Sequence, residues 1–172
     1  GHTMQITDLA KEEAITPFFR LGFRPFFTFG AAFSIVALLI WSLVLSGKIS
    51  LNLYGGGTVW HIHEMIFGFV CAIIVGFLLT AVQTWTGQRA IKGKPLMILV
   101  LLWLAGRLVM AFPDFLGNIT SSIIDIAFMP LAALFLALPI IKSGNKRNLF
   151  FVPLLLLFTL TNVLIHMAIN GF

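Results

Sequence analysis

A chain of 172 residues is a single domain by size, but 59% hydrophobic and 10% charged residues exclude an ordinary soluble domain, in which about a quarter of residues are charged. The mean hydropathy of +1.04 agrees. The net charge of +5 comes with no basic stretch interleaved with polar surface, which excludes a nucleic-acid partner, and the single cysteine, Cys71, excludes an internal disulfide and a cysteine-cluster metal site.

Residues 1–4 read as a tag remnant before a start at Met4, so His2 enters no site argument. Residues 1–16 are expected to form a cytoplasmic N-terminal segment, and residues 17–172 a transmembrane helical domain. Acidic residues and the pair Arg20 and Arg24 precede the first apolar run, which does not fit a cleavable signal peptide.

A helix needs about 20 mainly apolar residues to cross the hydrocarbon layer. Five windows supply them: 26–46, 60–85, 95–112, 119–141 and 149–169. The first has no ionisable group and the second none after Glu64, while the third carries Arg107, the fourth Asp125 and the fifth His166. The connectors are short and polar, which predicts an all-α integral membrane bundle of about five spans with antiparallel neighbours.

Lys11, Arg20 and Arg24 precede the first span; Arg89, Lys92 and Lys94 join the second to the third; Lys142, Lys146 and Arg147 join the fourth to the fifth. The other two connectors hold one base, Lys48, and one acid, Asp114. The positive-inside rule therefore predicts a cytoplasmic N-terminus and a C-terminus outside.

That orientation sets depth. His61, His63 and Glu64 fall at the outer end of the second span, and His166 lies roughly 5 Å from the outer end of the fifth at 1.5 Å per residue. Arg107 and Asp125 come within about two turns of the same surface. Every ionisable residue within the spans is expected in the outer leaflet, and such groups face a bundle interior or a cavity. They are read as one site.

Helical phase adds detail. Thr159, Asn162, His166 and Asn170 share one face of the fifth span, which must face protein because unsatisfied polar groups in hydrocarbon cost several kcal/mol. On the second span His61, Glu64, Gly68 and Cys71 share a face, and His63 points about 200° away from His61 at 3.6 residues per turn. The two imidazoles serve different partners unless His61 sits in a non-helical cap.

Histidines on separate helices at matched depth suit a haem iron held from both sides, or copper with Met65, Met167 or Cys71 as soft neighbours. A structural reading stands beside each functional one. His63 and Glu64 anchor the interface, His166 satisfies Asn162, and Cys71 packs. Arg107 pairs with Asp125 to lock two spans, or it neutralises a haem propionate; Asp125 also suits a proton relay. Two other classes fit the same residues. One is a small proton-coupled or anion transporter using His61, Glu64, Arg107 and Asp125. The other is an assembly module whose polar groups only knit helices together. No nucleophile elbow, phosphate loop or carboxylate pair beside a cleft is present, so the sequence assigns no catalytic activity.

Gly22-Phe23-Arg24-Pro25-Phe26-Phe27, Trp60-His61-Ile62-His63-Glu64-Met65-Ile66-Phe67-Gly68-Phe69, Trp85-Thr86-Gly87, Trp103-Leu104-Ala105-Gly106-Arg107 and Asn162-Val163-Leu164-Ile165-His166 resemble the NnrS family in order and spacing. The resemblance runs from Pro17 to Met167, and the Trp-His-x-His-Glu-Met block is its most specific part. It implies a bacterial inner-membrane protein in contact with lipid, containing haem and copper and linked to nitric oxide metabolism and relief of nitrosative stress.

By position, His61, His63 and Glu64 match the family's histidine block, His166 its fifth-span histidine and Arg107 its third-span arginine. The expected cofactor is haem b, with copper as a second metal and nitric oxide as a ligand. His63 and His166 are the leading iron ligands, and His61 is the alternative or a copper ligand. Arg107 is the propionate partner. Glu64 orients an imidazole, with Asn162 and Asp125 in support. Residues 81–85 lack the proline-asparagine pair expected before Trp-Thr-Gly, and the chain has less than half the family's usual length. The chain therefore reads as an N-terminal half or as a half-length relative of the family, and a homodimer standing in for the missing half is one hypothesis.

Overall fold

The computed structural model describes residues 17–172; the N-terminal segment 1–16, with Lys11, lies outside the described residues. Five helices are long and apolar enough to cross a membrane: α1 (Phe23–Leu45), α2 (Gly57–Thr86), α3 (Lys94–Ala111), α4 (Asn118–Ser143) and α5 (Phe151–Ile169). No strand occurs among the described residues. Each expected window matches its helix to within three residues at either end.

Local chemistry sets the boundaries. Gly87 and Gly144 follow α2 and α4 in the left-handed conformation that ends a helix cheaply only at glycine. Pro95 stands in the first turn of α3, where its missing N–H costs nothing.

The connectors alternate between the two ends of the bundle. At one end the backbone N–H of Gly93 donates to Phe19 O at 2.9 Å, and Asn145 Nδ2 donates to Trp85 O at 2.8 Å. This end carries the basic connectors. At the other end Asn52 Nδ2 donates to Asp114 Oδ2 at 2.7 Å, tying the α1–α2 connector to the α3–α4 connector.

Helix α4 is central and packs against α2, α3 and α5, while α1 lies on α2. Between helices in lipid, close packing replaces the hydrophobic effect, so small residues line the contacts. Ala72, Ala132 and Ala133 are buried there, and Gly76 brings α2 so near α1 that an added Cβ would stand 2.9 Å from Phe26 Cβ. Helices α1 and α5 bury only 11% and 17% of their apolar windows, against 50% for α2 and α4, which makes them the lipid-facing flanks.

Helix α2 is not uniform. It is α-helical to His63, widens to a π-helix over Glu64–Val70, and resumes as α-helix from Cys71. The Cys71 N–H reaches Ile66 O, five residues back. Such widened turns release carbonyls from the regular ladder and concentrate at functional sites. Here the indole of Trp103 on α3 donates to Gly68 O at 2.9 Å.

Candidate metal centre

The end of the bundle opposite the basic connectors holds a polar cluster contributed by four helices. On α2 the inward direction falls between His63 and Glu64, neighbours separated by about 100° on a helix; they are 3% and 0% exposed. Helix α3 contributes Arg107, α4 Asp125, and α5 the pair Asn162 and His166, which share one face four residues apart. All are buried.

Asp125 is the hub. Its Oδ1 accepts from Arg107 Nη2. Its Oδ2 accepts from Asn162 Nδ2 at 3.0 Å and lies 2.7 Å from His166 Nε2 and 3.1 Å from His63 Nε2. Arg107 turns its other arm to Glu64 Oε2, and Glu64 Oε1 meets His63 Nδ1 at 2.8 Å. The guanidinium thus bridges two carboxylates on different helices, and its carbon lies 5.8 Å from the Phe33 ring centre and 5.9 Å from that of Trp103.

Hydrogen-bond direction gives this cluster its chemical character. Glu64 is an acceptor, so His63 offers it the Nδ1 proton. A neutral imidazole then has a bare Nε2, and that nitrogen faces two more acceptors, Asn162 Oδ1 at 2.9 Å and Asp125 Oδ2 at 3.1 Å. Lone pairs aimed at one another in a buried site call for a positive charge between them. One atom each from His63, Asp125 and His166 lies within 4.8 Å of the others, a spacing that suits ligands of one metal ion.

Of the sequence-predicted residues, the structure brings together His63, Glu64, Arg107, Asp125, Asn162 and His166. It does not bring in His61. That imidazole lies flat on Trp41 of α1, with ring centres 4.2 Å apart and planes inclined by 12°, and its buried Nδ1 has no partner. His61 therefore does not share the inward face with Glu64, Gly68 and Cys71. Both histidines are helical and diverge, which settles the question of a non-helical cap. Arg107 takes the ion-pair reading, extended to Glu64 as well; a propionate would have to displace one of the two carboxylates.

Sequence reasoning missed one member, Tyr54. Tyr54, in the connector before α2 and 2% exposed, places its hydroxyl 2.7 Å from His166 Nδ1 and 2.8 Å from Ser122 Oγ of α4. Asn170, on the predicted α5 stripe, donates to that hydroxyl at 2.8 Å. The only signal available for Tyr54 was its status as the sole tyrosine, in a polar connector at the matching end of the bundle.

A family model described as NnrS protein matches residues 17–172, nearly the whole chain. No curated protein and no solved structure matches it.

Proposed function

This chain belongs to the NnrS family, and from that premise we propose that it is a metal-binding protein of nitric oxide handling, in which His63, His166 and Asp125 hold one transition-metal ion. It is a multi-pass membrane protein of a family linked to nitric oxide. The observation that carries the proposal is the meeting of His63 Nε2 and His166 Nε2 at one oxygen of Asp125, at 3.1 and 2.7 Å. Two imidazoles and a carboxylate suit a divalent first-row metal, and copper heads the affinity order. Zinc takes the same donors but has no redox chemistry. Copper is therefore the ion proposed; His63, His166 and Asp125 would hold it, and it would supply affinity for a small ligand such as nitric oxide.

Haem b meets a different test. A porphyrin between His63 and His166 would have to displace Asp125, which bridges the two rings, and Asn162, which holds both His63 and Asp125. As packed, the pair fits a single ion and not a macrocycle. Haem on this chain would need another axial ligand. His61, with its ring outside the cluster, is the histidine for that role.

The setting we propose is a bacterial inner membrane, with the basic connectors in the cytoplasm and the ion near the outer surface.

Metal analysis and electron paramagnetic resonance of the detergent-purified chain, stripped by chelator and reloaded with copper, test the reading. One copper per chain is expected, lost in H63A and in H166A and kept in H61A. A chain that holds no copper and passes protons in an Asp125-dependent way would replace this reading with the transporter one.

A further inference from the structure

We propose that Tyr54 is a positioning residue of the metal centre: its phenol fixes which nitrogen of His166 faces the ion. The inference rests on the metal reading above and goes beyond it by assigning a residue from a connector, outside all five spans.

Ser122 Oγ lies 2.7 Å from the Asn118 carbonyl and 2.8 Å from Tyr54 Oη. A carbonyl only accepts, so the single serine proton goes to Asn118 O. Ser122 then accepts from Asn170 Nδ2 at 3.3 Å and, at the shorter 2.8 Å, from the phenol, whose only proton is thereby committed. Asn170 Nδ2 cannot reverse this. It donates to His166 O at 2.8 Å, which sets the amide's orientation, and it donates to Tyr54 Oη at 2.8 Å as well.

What the phenol has left for His166 Nδ1, 2.7 Å away, is a lone pair. His166 is therefore the donor through Nδ1–H. A neutral imidazole carries one N–H, so its Nε2 lone pair points at Asp125 Oδ2, 2.7 Å away, where the ion is proposed. A ligating histidine whose other nitrogen donates a hydrogen bond is held in ring orientation and made more basic.

Tyr54 is itself fixed. Its backbone N–H donates to Met110 O at 3.0 Å, and its ring is buried with Trp60, Met110 and Ala37. The phenol therefore reads the position of α3 through its backbone and passes it to α4 and α5 through its hydroxyl.

The test loads the purified chain and Y54F with Cu(II). Y54F should still bind one copper, with affinity lower by about 10–100-fold and with altered g and hyperfine values. Unchanged affinity with a superimposable spectrum would overturn the role of Tyr54, whatever happens to the melting temperature of the metal-free variant. An unmodified chain that binds no copper would overturn the metal reading itself, which keeps the two failures apart. Should Y54F not fold, nitrogen-15 histidine spectra of the unmodified chain loaded with Zn(II), a diamagnetic probe, decide the matter. A protonated Nδ1 and metal-bound Nε2 on His166 are expected, and metal on Nδ1 would overturn the proposal.

Discussion

Arg107 occupies the space that a side chain at Gly68 would need: a Cβ there would stand 2.8 Å from Nη1 and 2.8 Å from the Phe33 ring. The guanidinium has nowhere to retreat, because both arms are engaged by Glu64 and Asp125. G68A is expected to destabilise the bundle by about 1–3 kcal/mol, as overpacking does, and to weaken the Arg107–Glu64 pair. Thermal unfolding in detergent measures it. An unchanged melting temperature would mean that Arg107 has a second seat of equal quality.

Asp125 is the residue on which most partners depend. D125N keeps the shape and removes the charge, leaving Arg107 with Glu64 alone and the two imidazoles without their shared oxygen. Breaking a buried pair from one side costs about 3–5 kcal/mol. D125N is expected to lose that order of stability together with copper binding. Chemical or thermal unfolding read beside copper content checks both, and retention of copper at full affinity would remove Asp125 from the ligand set.

Haem and copper separate by histidine. In visible spectra of haem-supplemented protein, oxidised and dithionite-reduced, H166A should leave any Soret and α/β bands in place and H61A should abolish them. The reverse pattern would restore axial ligation by His63 and His166 and require Asp125 to swing out of the cluster.

Orientation is open to labelling. With Cys71, the only cysteine, replaced by alanine, F115C should react with a membrane-impermeant maleimide on intact cells and K146C should not. Phe115 is 85% exposed in the connector at the cluster's end of the bundle. Labelling of K146C alone would invert the topology and turn the site toward the cytoplasm.

The spans were legible because apolar length is a strong local signal, and depth could be counted from their ends. The α5 stripe was legible too: Asn162 and His166 repeat at helical spacing and are both buried. The interior of α2 was less so. A regular helix puts His61 and Glu64 on one side, but the direction in which α2 meets α4 and α5 runs between His63 and Glu64. Nothing local in residues 60–71 announces the wide turn over Glu64–Val70. Tyr54 was hidden for a different reason. Its partner His166 is 112 positions away, and a connector residue has no periodicity from which its direction can be read. The second arm of Arg107 was hidden likewise, because a pairing with Asp125 on the next helix already accounts for an arginine at that depth.

Because the cluster is divided among four helices, no early stage of synthesis owns a complete set. Helix α2 enters the bilayer with His63 and Glu64, α3 brings the cation that answers Glu64, and α4 brings a further carboxylate. The amide of Asn162, which donates to that carboxylate, arrives only with α5. A nascent chain stalled before its last helix would show lipid an acid that the finished molecule conceals, and uncompensated polar groups in hydrocarbon are costly. The constellation that suits an ion is therefore complete only once α5 has joined the bundle.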